Sequence, residues 1–493
     1  MKQLNDYIEK NYDKVIGWGT SKYYEDTSRM LDDVEIEYLI DSDMTKHSKK
    51  IDNKVIYSPS ILENENPDRI LIVVFSSFYN EICQTINKYG DFYTVSGKQL
   101  IRFGNLFKYG NKNILEDDEQ NKEVIISISD EYFISSINGV SKFIKEQRNI
   151  MNKYNYVNLY MFWEKQNLKG INDVFITIVK NGEELGLFSI ENIFDEIKNI
   201  KAIIIHKLTR INFSILNIVL DLIGHKVPIL YYLHDFSCFC SSAKLLYNNK
   251  KFCRGYEDGW EKCPSCINEK DRKIIFPYHK KLFNRKNINI ISPSESTRDI
   301  ISKAFEIDKE QITVIKHQKY NLVEKDEIKL NNKIRIAYVG YKDVNKGWEI
   351  FKKVAFDFKD KYEFYCLGTS DEIVDGVKYV DVSFIEDGQD AMIKKIIENS
   401  IDISLLWSLV PETYSYTYYE SYAGGAFIIT NENSGNIADQ VKINNNGVVL
   451  KNYKELYDLL RNEKKLRELI LKNDKIIKKI RPNEEFLNLI ENI

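Results

Sequence analysis

Residues 405–425 read LLWSLVPETYSYTYYESYAGG, and the stretch parses as strand, loop, helix and stop. The apolar run 401–406 suits a short buried strand. Pro411 interrupts the chain, and Ser415 is placed to cap a helix whose first turn holds Tyr416, Thr417 and Tyr418. Gly424 and Gly425 end that helix. Two carboxylates bracket the turn, Glu412 in the loop and Glu420 on the helix, with seven residues between them. The first N–H groups of a helix lack intrahelical acceptors, so this turn attracts anions. A sugar nucleotide fits such a layout: its diphosphate suits the helix start, and its ribose and sugar hydroxyls suit carboxylate acceptors.

The stretch resembles the E-x7-E signature of retaining GT-B glycosyltransferases, above all glycosyltransferase family 4. Its flanks strengthen the likeness: IDISLLWSLVPE before it, GGAFIITNENSGNIADQV after it, and the late strand in NNNGVVL. The resemblance covers about residues 123–470 and implies an α/β fold of GT-B type, two facing Rossmann-like domains. By resemblance, Glu420 holds the ribose hydroxyls and Glu412 the sugar hydroxyls. Tyr414, Ser415, Tyr416 and Thr417 stand where the family has a glycine loop against the donor.

Working outward toward the N-terminus, the segment 333–340 is a strand ending in Gly340, with Lys346-Gly347 six residues on. VGYKDVNKGWE resembles the family's V-G-R-(x4)-K-G, which makes Lys346 the diphosphate lysine and a catalytic residue. Tyr341 stands at the family's arginine, and Lys342 beside it is the expected substitute, although a lysine lacks the guanidinium fork. A second strand, 362–368, ends at Gly368.

Residues 123–325 read as the acceptor domain, an α/β pattern with a mostly parallel sheet and strands at 123–127, 157–162, 173–179, 201–206 and 228–234. Asn138-Gly139-Val140 resembles the family's G-G-V loop, which brings Gly139 to the donor. His206 and His234-Asp235 close two strands. In related enzymes a His at the place of His234 faces the donor sugar; a strand-end His is otherwise an ordinary hydrogen-bonded core residue. Loop 236–270 carries Cys240, Cys253, Cys263 and Cys266 in the pattern C-x12-C-x9-C-x2-C. Four thiolates at this spacing suit a closed, structural zinc site; free thiols or a disulfide are the alternatives. No catalytic metal is expected. FPYHKKLFNRKN at 276–287 is either an anionic-membrane contact or a solvated helix face.

The first 103 residues form an accessory Rossmann-like domain: strand, Gly17-Trp18-Gly19 turn, helix, then a strand ending at Asp41. Lys22 stands where a third fingerprint glycine would be, and a packing role for the turn is favoured over a nucleotide site. Residues 104–122 read as a linker, 326–470 as the donor domain, and 471–493 as a basic amphipathic helix that crosses back.

The 493 residues suffice for two or three domains. A net charge of −3 gives no basic field for nucleic acid. No apolar run approaches the ~18 residues that span a bilayer, and a cytoplasmic placing, or one at the inner membrane face, is expected. The expected function is transfer of a sugar from a nucleotide-diphosphate donor to a saccharide or lipid-linked acceptor, with retention, in bacterial surface polysaccharide or glycoconjugate synthesis. The alternatives are a catalytically degenerate sugar-binding partner subunit and a sugar-nucleotide epimerase on the same fold.

Overall fold

Short runs of β-branched residues separated by capped helices give this chain parallel sheets covered by helices. The computed structural model describes residues 2–491 except 32–33, 77, 110–112, 135, 137, 161–167, 172–173, 210–212, 249–250, 256–265, 267–268, 327–329, 369–371, 385–386 and 473–474. The chain divides into two units, one of residues 1–134, 152–201 and 210–224, the other of residues 135–151, 202–209 and 225–493.

In the first unit, strands β1 (Lys14–Trp18), β2 (Leu39–Ile40), β3 (Lys50–Ile51), β4 (Lys54–Tyr57), β5 (Ile70–Val74) and β6 (Tyr93–Ser96) form a sheet of order β3-β4-β2-β1-β5-β6. Only β3 runs antiparallel to its neighbour. The glycine turn after β1 serves packing: a Cβ on Gly19 would lie 2.6 Å from the Phe75 carbonyl oxygen. The Asp41 carboxylate is likewise spent inside the unit, accepting from the Thr20 hydroxyl, the Asp43 N–H at 2.9 Å and Lys46 at 3.0 Å. These contacts agree with the packing role favoured for this turn.

The expected linker starts too early. Helix Gly97–Tyr109 runs through residues 104–109, because Leu100 and Phe103 are fully buried and Leu106 and Phe107 pack on the same core. Strands β7 (Val124–Ser129) and β8 (Asn155–Tyr160) are parallel, but β9 (Phe175–Lys180) and β10 (Glu183–Ser189) form an antiparallel hairpin with β9 also antiparallel to β8. The hairpin is thus an antiparallel edge beside the parallel pair β7-β8. Asn181 and Gly182, both at positive φ, supply the two-residue turn.

In the second unit β11 (Ile200–Lys207), β12 (Ile229–Tyr232), β15 (Ile288–Ser292) and β16 (Ile312–Val314) are parallel neighbours in that order, and β13 (Leu246–Tyr247) and β14 (Lys251–Phe252) make a small hairpin. The pairs β7-β8, β11-β12, β12-β15 and β15-β16 are all parallel, as the mostly parallel expectation has it. β17 (Gln318–Asp326) is followed by β18 (Arg335–Val339), β19 (Glu363–Leu367), β20 (Val377–Val380), β21 (Ile403–Leu405), β22 (Phe427–Asn431) and β23 (Gly447–Leu450). The last six form an all-parallel sheet of order β20-β19-β18-β21-β22-β23. Read in chain order this is 3-2-1-4-5-6, and the order reverses between β18 and β21. Ligands of doubly wound sheets bind outside the carboxyl ends of strands at that reversal.

The tail is corrected as well. Residues 475–482 are strand β24 (Lys475–Pro482), antiparallel to β17, and not the helix expected over 471–493. Ile476, Ile477 and Ile480 at helical spacing suggest an amphipathic helix, but β-branched residues and an open partner edge favour the ribbon. Beyond it the Asn483 N–H donates to the His317 carbonyl at 2.9 Å. The aromatic-basic segment at 276–283 lies in helix Glu269–Phe283, with His279 fully buried. Among the described residues no helix is long and apolar enough to cross a membrane.

Candidate functional site

Three helices frame the sheet reversal: α1 (Gly139–Ile150), α2 (Tyr416–Ala423) and α3 (Asn436–Asn444). α1 begins with a reciprocal cap, in which Asn138 Oδ1 accepts from the Ser141 N–H and Ser141 Oγ accepts from the Asn138 N–H, both at 3.0 Å. α2 begins where expected, with Ser415 Oγ accepting from the Tyr418 N–H at 3.3 Å. That bond spends Ser415 on the cap. The N–H groups of Tyr416 and Thr417 stay at the opening of the helix.

Backbone glycines let the strand ends meet this opening. A Cβ on Gly340, at φ +101°, would lie 2.8 Å from Thr417 Cγ2, and one on Gly368 would lie 2.9 Å from the Gly340 carbonyl oxygen. A Cβ on Gly139 would lie 3.3 Å from the Tyr416 ring. Gly139, Gly340, Gly368, Tyr416 and Thr417, expected apart in sequence as donor residues, are therefore brought together.

Lys346 and Glu412 are fixed to each other through backbone. The Leu409 N–H donates to the Asn345 carbonyl at 2.7 Å. Gly347, at φ +81°, sits so close to the Trp407 carbonyl that a Cβ would lie 2.2 Å from its oxygen. The Glu412 N–H donates to Ser434 and its carbonyl accepts from the Asn436 N–H at 3.0 Å, around Gly435 at the start of α3. The outcome is Lys346 Nζ 3.8 Å from Glu412 Oε1. The loop is also tied to the end of β12, since Thr413 Oγ1 donates to the His234 carbonyl at 2.6 Å.

Glu420 is 4% exposed, and its Oε1 is 3.1 Å from the Nζ of Lys142 on α1. The Lys142 ammonium also lies over the Tyr416 ring, 4.7 Å from its centroid. Lys142 was not anticipated. With Glu146 four residues on, it reads in sequence as an exposed helical ion pair. Both are in fact turned inward, and Glu146 is 3% exposed. Glu146 Oε1 accepts from Gln318 Nε2 at 3.1 Å, while its Oε2 is buried without a partner. Burial pushes the Glu146 carboxyl up to about 7, against the opposing pull of Lys142.

Two expected residues are placed differently. Lys342 gives its ammonium to the Glu372 carbonyl at 2.9 Å and to the Trp348 and Tyr379 rings, each 4.8 Å away. Tyr414 is buried, stacked on Tyr419 at 4.5 Å and packed against His317 at 4.5 Å. His234 sits in an imidazole cluster, its Nε2 3.1 Å from His206 Nδ1 and its ring packed on Phe143 and His317. Burial pulls His234 down to about 3, and drives His206 and His317 well below the usual range. At neutral pH these rings are uncharged, so His234 can exchange hydrogen bonds but not act as a cation.

The cysteine loop reaches the same turn: Lys244 Nζ is 2.7 Å from Asp343 Oδ2, and Arg254 bonds Asn433. Burial would raise the Asp343 carboxyl, but the Lys244 bond holds it below its ordinary value. Cys240 is buried with its Sγ 3.1 Å from Ser242 Oγ, and the Gly255 N–H points at Cys253 Sγ at 3.4 Å. Cys263 lies outside the described residues, and among those described no three metal-ligating side chains converge.

The family described as "C2185-like, N-terminal" matches residues 11–95. No curated protein sequence matches the chain. Among solved structures the chain is similar to sucrose-phosphate synthase from Thermosynechococcus elongatus, at 11% identity and TM-score 0.43, covering 71% of this chain and 92% of that one. It is also similar to Anabaena HepE in complex with UDP-glucose, at 10% identity and TM-score 0.41, covering 71% and 91%. S. aureus TarM covers more, 93% of each chain, at 12% identity and TM-score 0.38. These likenesses are distant.

Two outcomes follow from the geometry. Gly347→Ala should cost about 2 kcal/mol or more, because both the φ and the Trp407 carbonyl exclude a side chain; chemical denaturation reads this, and a loss below about 0.5 kcal/mol would contradict the packing. Glu146 keeps a proton up to about 7 when folded, against 4.5 for an ordinary Glu. The folded state thus holds a proton that the unfolded chain has released, and stability falls as pH rises through that window. Glu146→Gln should remove this fall; parallel stability–pH curves for variant and wild type would contradict the burial.

Proposed function

We propose that this chain is a glycosyltransferase of GT-B type that moves a sugar from a nucleotide-diphosphate donor to a saccharide or lipid-linked acceptor. The observation that supports it most is the pairing of Lys346 with Glu412 at the sheet reversal, beside the open first turn of α2. In this reading the diphosphate takes the Tyr416 and Thr417 N–H groups and the Lys346 ammonium. Glu412 accepts from sugar hydroxyls and Glu420 from the ribose pair. Lys346 and the helix N–H groups stabilise the charge that grows on the diphosphate as the bond from the anomeric carbon to its phosphate oxygen breaks. The acceptor oxygen bonds the same carbon, its proton passes to the departing phosphate, and the configuration is retained. His234, uncharged, donates to or accepts from the sugar.

The same proposal takes residues 1–103 as an accessory domain, 123–325 as the acceptor domain and 326–470 as the donor domain. It places the work in surface polysaccharide or glycoconjugate synthesis on the cytoplasmic side. Tyr341, 74% exposed where the family has arginine, favours a second reading as a sugar-binding partner subunit without turnover. In the first reading, Glu420→Ala and Lys346→Ala each lower transfer at least a hundredfold, since each removes a charged contact worth about 3 kcal/mol. Near-normal rates in both would refute it, and a wild-type chain that binds donor but neither transfers nor hydrolyses it would favour the second reading.

For loop 236–270 the proposal is one structural zinc held by Cys240, Cys253, Cys263 and Cys266. The Gly255 N–H directed at the Cys253 sulfur supports it, as a bond that steadies a metal thiolate. Metal analysis of reduced protein should give about one zinc per chain; none would end the idea.

A further inference from the structure

A carboxylate meant for a ligand is already occupied. Glu420, 4% exposed, is paired at 3.1 Å with a lysine that belongs to a different helix. Lys142 sits in the first turns of α1, where the helix dipole disfavours a cation, so its position is maintained by what it meets and not by its own helix. It meets Glu420 and the Tyr416 ring. One turn along α1 from Lys142 stands Glu146, whose Oε2 is buried and unpartnered. An unmade hydrogen bond on a buried carboxyl costs about 1–3 kcal/mol, so this oxygen marks a place that a cation would satisfy. Two carboxyl groups therefore compete for one ammonium, and only one of them has it.

We propose that Lys142 holds Glu420 in the ligand-free protein and passes to Glu146 when ribose hydroxyls take Glu420, so that donor binding expels a proton from Glu146. The inference rests on the proposed role of Glu420 in holding ribose. Chemically the change is small. Lys142 keeps its charge throughout. Glu146 goes from carboxylic acid to carboxylate, its proton goes to solvent, and no covalent bond between heavy atoms changes. The ammonium has three donors on a flexible stem, so exchanging one carboxyl partner for another needs only rotation of its side chain.

The groups that face Glu146 are Lys142 on its own helix, Gln318 on β17, Tyr414 in the loop before α2, and Tyr416 and Glu420 on α2. Glu420 opposes ionisation of Glu146 and Lys142 favours it. Both tyrosines are held uncharged by burial. Moving Lys142 toward Glu146 thus lowers its proton affinity from a starting point of about 7. The direction of the linkage follows: binding releases a proton, so binding weakens as the pH falls below that value. Lys142 also reports occupancy of the ribose site to α1, since the lysine must leave before ribose enters.

Calorimetric titration of the full chain with UDP-, GDP-, ADP- and dTDP-glucose tests this, because the diphosphate of these donors has no proton to lose near neutral pH. Each titration is run in two buffers of different ionisation enthalpy. For the donor that binds, the wild type should release close to one proton at pH 6 and almost none at pH 8.5, and its affinity should be about tenfold weaker at pH 5.5 than at pH 7.5. Glu146→Gln and Lys142→Met should each abolish the release and flatten the pH dependence. The two variants guard against misfolding of either, since one removes the acid and the other the cation. Binding with no proton release in the wild type, or unchanged release in both variants, would overturn the inference while leaving the donor site intact. Failure of all four donors to bind would overturn the donor site and the inference with it.

Discussion

The site exists because backbone approaches backbone at points where no side chain fits. Gly347 against the Trp407 carbonyl and Gly435 against the Glu412 N–H are two such approaches, and Gly340 makes room for the Thr417 side chain, all three glycines at positive φ. Together they fix the loop after β21 to the turn after β18, across the reversal of the sheet. Lys346 and Glu412 then have little freedom except in their side chains. A ligand that needs a cation and a carboxylate a few ångströms apart finds them already arranged, so less binding energy goes to ordering the protein.

Around that fixed point the second unit is unusually rich in buried polar groups. His206, His234 and His317 are kept uncharged by burial, the Glu146 carboxyl is pushed up to about 7 by burial, and Glu420 is paired with Lys142. Such groups are expensive in a core and are retained where they meet a ligand or each other. The tyrosines of PETYSYTYY pack between these groups. Tyr414 and Tyr419 stack within the core, and Tyr416 lies under the Lys142 ammonium.

Much of this was legible in the sequence wherever local chemistry decided the outcome. The cap at Ser415, the stop at Gly424, the strand ends at Gly340 and Gly368 and the packing role of the Gly17–Gly19 turn all follow from residues acting on near neighbours. What stayed hidden depended on distant partners. Lys142 and Glu146 share the spacing of an exposed helical pair, and nothing local reveals that α2 and β17 cover them. The tail 475–482 fits a helix until β17 offers it an edge. The Lys342 ammonium is drawn to Trp348, Tyr379 and the Glu372 carbonyl, a destination set by long-range packing. Asn181-Gly182 is a two-residue turn signal in its own right, and the antiparallel pairing of β9 with β10 follows from it.

A crystal structure of the chain soaked with a nucleotide-sugar tests the central claim most directly. The diphosphate should lie within hydrogen-bond distance of Lys346 Nζ and of the Tyr416 and Thr417 N–H groups, with the ribose hydroxyls on Glu420. A donor bound at the Gly17–Asp41 turn instead, or one leaving Lys346 and Glu412 untouched, would contradict it.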